Sequence, residues 1–289
     1  MNQHLVPEVY LKQFGYIDKN SQWRVCVLEK SKFPIMHEAN KRWIAHKSIG
    51  SLLSKDDFFD FETFEDQDFF RTIESVNSEI ETLLPELYTE LQTSKTLSIK
   101  GEAILAHFVS NLFVRTSYFD FWLNDLIKVG GYDRLLEECL HYNTDEQKIE
   151  FKKFINNPHY SSEKNRTNMT RFLFWNYFLQ RLEQFQYFII EPYKDKGWIT
   201  CDNPVVLLNH MCEYSTLSFE TEIIFPLTSS KLILFKTEHS NNVSDIFQGT
   251  NLKETTVATS EVTDEINKII SETAEDIVII PGVKDYKEF

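Results

Sequence analysis

Two hydrophobic periods divide this chain. Between residues 65 and 185 apolar positions recur at the three- and four-residue spacing of amphipathic helices. On either side they alternate, or run in short β-rich clusters bounded by Pro, Asn, Asp and Ser. The pattern predicts helices over Glu65–Gln92, Ile99–Val129, Tyr132–His141, Asp145–Asn156, Glu163–Phe185 and Glu261–Glu275. It predicts strands over Gln22–Leu28, Tyr187–Ile190, Val205–Leu208, Glu222–Phe225, Leu232–Phe235 and Ile277–Ile280. Pro7 belongs to the first turn of a short helix running through Gln13 and ended by Gly15. Pro85 is expected to kink or divide the first long helix. The fold class that follows is α+β: a helical middle of long antiparallel helices, bracketed by short β-strands from the N- and C-terminal segments. We read residues 1–289 as one domain, helical over about 65–185 and mainly β over 1–64 and 186–289.

The periodicity also singles out charged residues. Leu105, Phe108, Leu112, Arg115, Phe119, Trp122 and Leu126 are spaced 3, 4, 3, 4, 3 and 4 apart, so they share one helix face. Arg115 therefore stands in the middle of a stripe that should be buried. A guanidinium keeps its charge there and needs a carboxylate, carbonyls or an anionic ligand. On the preceding helix Glu74 and Glu81 lie two turns apart beside the core face, within reach of a neighbouring helix. A structural ion pair and a functional site explain this pattern equally well. His4 precedes the first short helix, where it either packs by hydrogen bonding, caps the helix or lines a cleft. Asp202-Asn203-Pro204 reads locally as a turn, and it also presents a carboxylate and an amide at a strand end.

Composition narrows the function. The formal net charge of −14 opposes indiscriminate binding to phosphate backbones. Lys152, Lys153, Lys164, Arg166 and Arg171 are the best candidates for a local basic patch, but acids are interleaved with them and a solvated helix face is the simpler reading. No run approaches the roughly eighteen apolar residues of a membrane span, and no basic start followed by an apolar stretch marks a secretory signal. The expected location is the cytoplasm, with Cys26, Cys139, Cys201 and Cys212 reduced and without metal-ligand spacing. Cys201 reads as a small packing residue. The chain has no phosphate-binding glycine loop, no Gly-x-Ser-x-Gly elbow and no His-Glu-x-x-His motif.

His4, Val6, Pro7, Tyr10, Leu11 and Phe14 form a His-x-Val-Pro-x-x-Tyr-Leu-x-x-Phe pattern. A Glu-bearing helix follows, then a helix ending in Arg115-Thr116, then Thr200-Cys201-Asp202-Asn203-Pro204-Val205, then Pro226-Leu227-Thr228-Ser229. Over nearly its whole length the chain thus resembles the bacterial family called domain of unknown function 4238. It departs from the family pattern at Cys201, where Ser is usual, and at Ser229, where a second Pro is usual. The resemblance implies a shared fold and a shared site assembled from four segments, but it supplies no activity.

Two functions are weighed. The first is a hydrolase of phosphoester or nucleotide-like substrates, with a nuclease as one form. There Arg115 binds phosphate, with Tyr10 and Asn203 as further ligand contacts; His4, Glu74 or Glu81 acts as general acid or base; and Asp202 orients water. Glu81 and Asp202 are then the candidate ligands of a divalent metal. The second is a non-enzymatic sensor whose same polar pocket holds a small anionic or phosphorylated ligand, or a partner. Nucleic acid as a partner and the oligomeric state are left open; a membrane partner is not expected.

Overall fold

A computed structural model describes residues 2–32, 44–56, 58–59, 67–141, 144–155, 162–208, 221–237, 245–247, 252 and 255–281. The side chains of 67–74 lie outside that description, as does Cys212. In chain order the elements begin with β1 (Asn2–His4), α1 (Glu8–Leu11), β2 (Tyr16–Ile17), β3 (Trp23–Glu29), β4 (Ala45–Ser48) and β5 (Ser54–Asp56). The helical middle follows: α2 (Gln67–Thr93), α3 (Ile99–Arg115), α4 (Ser117–Lys128), α5 (Tyr132–Leu140), α6 (Asp145–Ile155) and α7 (Glu163–Leu182). Then come β6 (Gln186–Glu191), β7 (Thr200–Cys201), β8 (Val206–Leu208), β9 (Glu222–Thr228), β10 (Lys231–Lys236), β11 (Thr255–Val257), α8 (Ser260–Thr273) and β12 (Ile277–Ile280). The architecture is α+β, with β structure on both sides of a helical middle.

One sheet has the order β11-β6-β10-β9-β8, antiparallel except for the parallel β11–β6 pair. A second has the order β2-β3-β12-β7, with β4 also paired to β3. In it the late strand β12 lies between the early strand β3, with Ile280 opposite Cys26, and β7, with Val278 opposite Cys201. The pair β1–β5 places His4 opposite Ser54.

Local chemistry explains the helix ends. Ser98 caps α3 by accepting the Gly101 N–H at 3.1 Å, and Ser162 caps α7 by accepting the Asn165 N–H at 3.2 Å. Pro85 lies inside α2, which is not divided and runs on to Thr93. Pro7 is the extended residue before α1, not part of its first turn. From there short turns carry the chain to Gly15, where an added Cβ would come within 2.8 Å of the Arg24 carbonyl oxygen.

The helix expected over Ile99–Val129 is two helices. Thr116 is extended, with φ −83° and ψ 160°, and separates α3 from α4. The apolar spacing continues across the break, so Phe119 and Trp122 are still buried. What stabilises the break is a set of partners for the backbone groups that ending a helix leaves unpaired, described below.

A large apolar cluster joins Val6, Tyr10 and Phe14 to the α3 residues Leu105, Phe108 and Leu112 and to Phe225 of β9. The Tyr10 ring stacks on Phe225 at 5.5 Å between centroids. A second cluster packs Ile266 and Ile270 of α8 against Trp198, Ile224 and Leu234. Among the described residues no helix is long and apolar enough to cross a membrane.

Candidate functional site

Arg115 ends α3 at the bottom of the buried stripe and is only 2 % exposed. Its Nη1 donates to Glu81 Oε1 at 2.8 Å and to Asn111 Oδ1 at 3.4 Å. Its Nη2 donates to the carbonyl of His4. The guanidinium lies 5.8 Å from the Phe59 ring centre. The helix-to-helix ion pair anticipated from the spacing is therefore made by Glu81; the side chain of Glu74 lies outside the described residues. His4 sits in β1, with Nε2 3.4 Å from Glu8 Oε1, while its buried Nδ1 has no hydrogen-bond partner among the described residues.

A second buried arginine stands beside it. Arg171 of α7 is 3 % exposed, so it does not belong to the solvated helix face expected for the basic stretch. Its Nη1 donates to the carbonyls of Val114 and Thr116, and its Nη2 donates to Asp120 of α4. These two carbonyls flank the extended Thr116, so Arg171 supplies donors where α3 stops. The guanidinium also lies 4.7 Å from the centre of the Phe58 ring and 5.3 Å from that of Phe119. Burial is the largest influence on both partners: it draws the Arg171 pKa down to about 10 and raises that of Asp120, each against the attraction of the other. Arg171 was readable in principle. Phe174 and Phe178 follow it at spacings of 3 and 4 and are both buried, as Phe119 and Trp122 follow Arg115.

The two arginines line a small, partly open pocket of about 20 Å³ with Asn77, Asn111, Trp175, Phe59, Val114 and the exposed Phe172. Asn111 Nδ2 donates to Asn77 Oδ1 at 2.8 Å. Four buried nitrogens of the lining residues have no partner among the described residues: Arg115 Nε, Arg171 Nε, Asn77 Nδ2 and Trp175 Nε1. Arg171 also forms part of a larger open groove of about 610 Å³, whose other walls include Asp56, Phe58, Asp120, Lys164 and Asn168.

The Asp202 segment is bonded differently. Asp202 accepts three backbone N–H groups: Oδ1 takes that of Glu275 at 2.8 Å, and Oδ2 takes those of Asp276 at 2.7 Å and Ile277 at 3.1 Å. Asn203 Oδ1 accepts the Tyr118 N–H at 3.2 Å, and its Nδ2 donates to the Thr273 carbonyl at 3.3 Å. The Asp-Asn pair thus clasps the start of β12, the end of α8 and the first turn of α4. Burial raises the Asp202 pKa, opposed by the three N–H groups. The Tyr10 hydroxyl is 2.6 Å from Thr200 Oγ1 and donates to the Pro226 carbonyl at 2.7 Å.

The two departures from the family pattern fit their surroundings. Cys201 is fully buried, and its Sγ donates to the Asn203 carbonyl at 3.2 Å, a bond open to the usual Ser hydroxyl as well. Burial pushes that thiol up, which removes thiolate character. Ser229 donates its N–H to the Gln13 carbonyl at 3.4 Å, a bond that Pro could not make.

The structure thus brings His4, Glu81 and Arg115 into one bonded group, and ties Tyr10, Asp202 and Asn203 into strand and helix ends. Among the described residues no three His, Cys, Asp or Glu side chains are grouped as a metal site requires. The residues that sequence reasoning did not assemble are Asn77, Asn111, Asp120, Arg171 and Trp175. A family model described as protein of unknown function (DUF4238) matches residues 2–281. No curated protein and no solved structure matches the chain.

Proposed function

The chain belongs to the DUF4238 family, and from that premise we propose that it is a binding module for a small anionic ligand bearing a phosphate or carboxylate. The observation that carries this reading is the open groove of about 610 Å³ beside Arg171. Its size suits a small molecule. Lys164 supplies a half-buried cation, and Arg171 a buried one held by Asp120 and two carbonyls. Asn168 and Thr167 add neutral hydrogen-bonding groups, and Asp56 and Asp120 suit the hydroxyl or amine donors of the same ligand.

Thermal unfolding and calorimetric titration against nucleotides, sugar phosphates and short oligonucleotides test the proposal, because a specific ligand raises the midpoint by mass action. A ligand that is recovered unchanged, and whose affinity drops about tenfold or more in Lys164→Ala, roughly 1.4 kcal/mol, supports it. If no member of the panel binds, or if Lys164→Ala binds as well as wild type, the groove reading fails.

Hydrolysis of a phosphoester remains a second reading on one observation. Asp120 borders the groove, and burial raises its carboxyl pKa, the condition of a general acid. Product analysis separates the two: turnover that disappears in Asp120→Asn favours the hydrolase.

A further inference from the structure

The small pocket that shares Arg171 with the groove has chemistry of its own. Four N–H-bearing nitrogens without partners among the described residues belong to the side chains around it: two guanidinium Nε atoms, an amide and an indole. Arg115, Arg171 and Asn77 are 2 %, 3 % and 1 % exposed, so surrounding solvent does not pair them. Unpaired buried donors of this kind are rare, and they rarely gather in one place.

The acids nearby do not use these atoms. Glu81 binds Arg115 through Nη1, and Asp120 binds Arg171 through Nη2. The amide oxygens are engaged as well: Asn77 Oδ1 accepts from Asn111, and Asn111 Oδ1 accepts from Arg115. What the lining offers is thus donors and positive charge, set among the apolar side chains of Phe59, Val114 and Phe172.

We infer that this cavity binds a single small monovalent anion of the halide class. A cavity of about 20 Å³ admits one particle of roughly water size and excludes a phosphate ester or a nucleotide. A water molecule accepts two hydrogen bonds and must also place its own two hydrogens. A halide places no hydrogens of its own and can accept the unused N–H groups of two guanidiniums whose Nη atoms already hold Glu81 and Asp120. The site is independent of the groove: it asks for a different ligand size and survives if no groove ligand exists.

The test uses the full chain purified into a chloride-free gluconate buffer. Thermal unfolding is followed while chloride or bromide replaces gluconate at constant ionic strength, and crystals grown in bromide are measured for anomalous scattering. The expected result is a midpoint that rises and saturates with halide, with one bromide peak between Arg115 and Arg171.

Two variants place the effect. Trp175→Phe keeps an aromatic ring and removes one donor, so about tenfold more halide should be needed for half-saturation. Asn77→Asp keeps the oxygen that accepts from Asn111 and adds a fixed negative charge, so it should fold and lose the halide response. Bromide-free density refined as water overturns the inference. So does an equal halide response in wild type and both variants, which would locate the effect elsewhere on the protein.

Discussion

The Asp202–Asn203 clasp and the Arg115–Arg171 pair are both buried polar constellations, but their hydrogen-bond accounts differ. In the clasp a carboxylate and an amide receive and give five bonds to backbone groups of three elements. In the arginine pair the Nη atoms are engaged, while both Nε atoms, together with Asn77 Nδ2 and Trp175 Nε1, find no partner among the described residues. A closed account is what architecture needs, because each unpaired buried group costs stability. The open one is concentrated among residues that line a single pocket. Asp202 joins the start of β12 to the turn after β7, whereas the two arginines line a pocket with N–H groups to spare.

The largest expected effect comes from breaking the closed account. Asp202→Ala leaves three backbone N–H groups without an acceptor, and should lower stability by about 3 kcal/mol or more in a denaturant melt. Asp202→Asn keeps one acceptor oxygen and should recover part of the loss. Neither cost should vary with halide.

Next in size is Glu81→Gln, which keeps a hydrogen-bond acceptor but leaves Arg115 without its carboxylate. Glu81 is 29 % exposed, so a loss of about 1–2 kcal/mol is expected, well below that for a fully buried pair. Unlike the clasp variants, it should become less damaging as chloride rises. Trp175→Phe should cost less than about 1 kcal/mol in chloride-free buffer, because it removes a donor that has no protein partner. A large loss there would mean that the indole is already paired and the account is closed.

Acid should separate the regions by sign, and this is the smallest effect. His107 of α3 lies 6.3 Å from the Trp175 ring, and burial lowers its pKa from the usual 6.5. Stability from this group is complete above the unfolded value near 6.5 and falls as pH drops through it toward the lowered one. Asp202 behaves oppositely: its folded pKa is raised, so stability rises as pH falls through that value and levels off below the unfolded carboxyl value. In pH-dependent melts His107→Gln should flatten the loss just below neutrality, and Asp202→Asn the change in the carboxyl range.

Arg115 was legible in sequence because helical periodicity depends only on local spacing. The break beside it was not, since the spacing of buried residues runs straight through Thr116; only the Arg-Thr pair of the family pattern marks a helix end there. Arg171 stood among Lys and Glu residues, and composition hid what Phe174 and Phe178 would have shown. The partners of Asp202 lie more than seventy residues away on the backbone, where side-chain identity carries no signal. The strands β1, β5, β7 and β11 span only two or three residues, too short for alternation to declare itself.

The position of β12 also sets an order of events. Its four residues fill the space between β3 and β7, so a chain emerging from the ribosome carries two strand edges that stay open until residue 280 has been made. Every residue from 30 to 276 must be spanned before that closure, which makes the late step slow and leaves nascent edges exposed to neighbouring chains. In the folded chain the Asp202 carboxylate, which accepts the N–H groups of residues 275–277, fixes the start of β12 between those two edges.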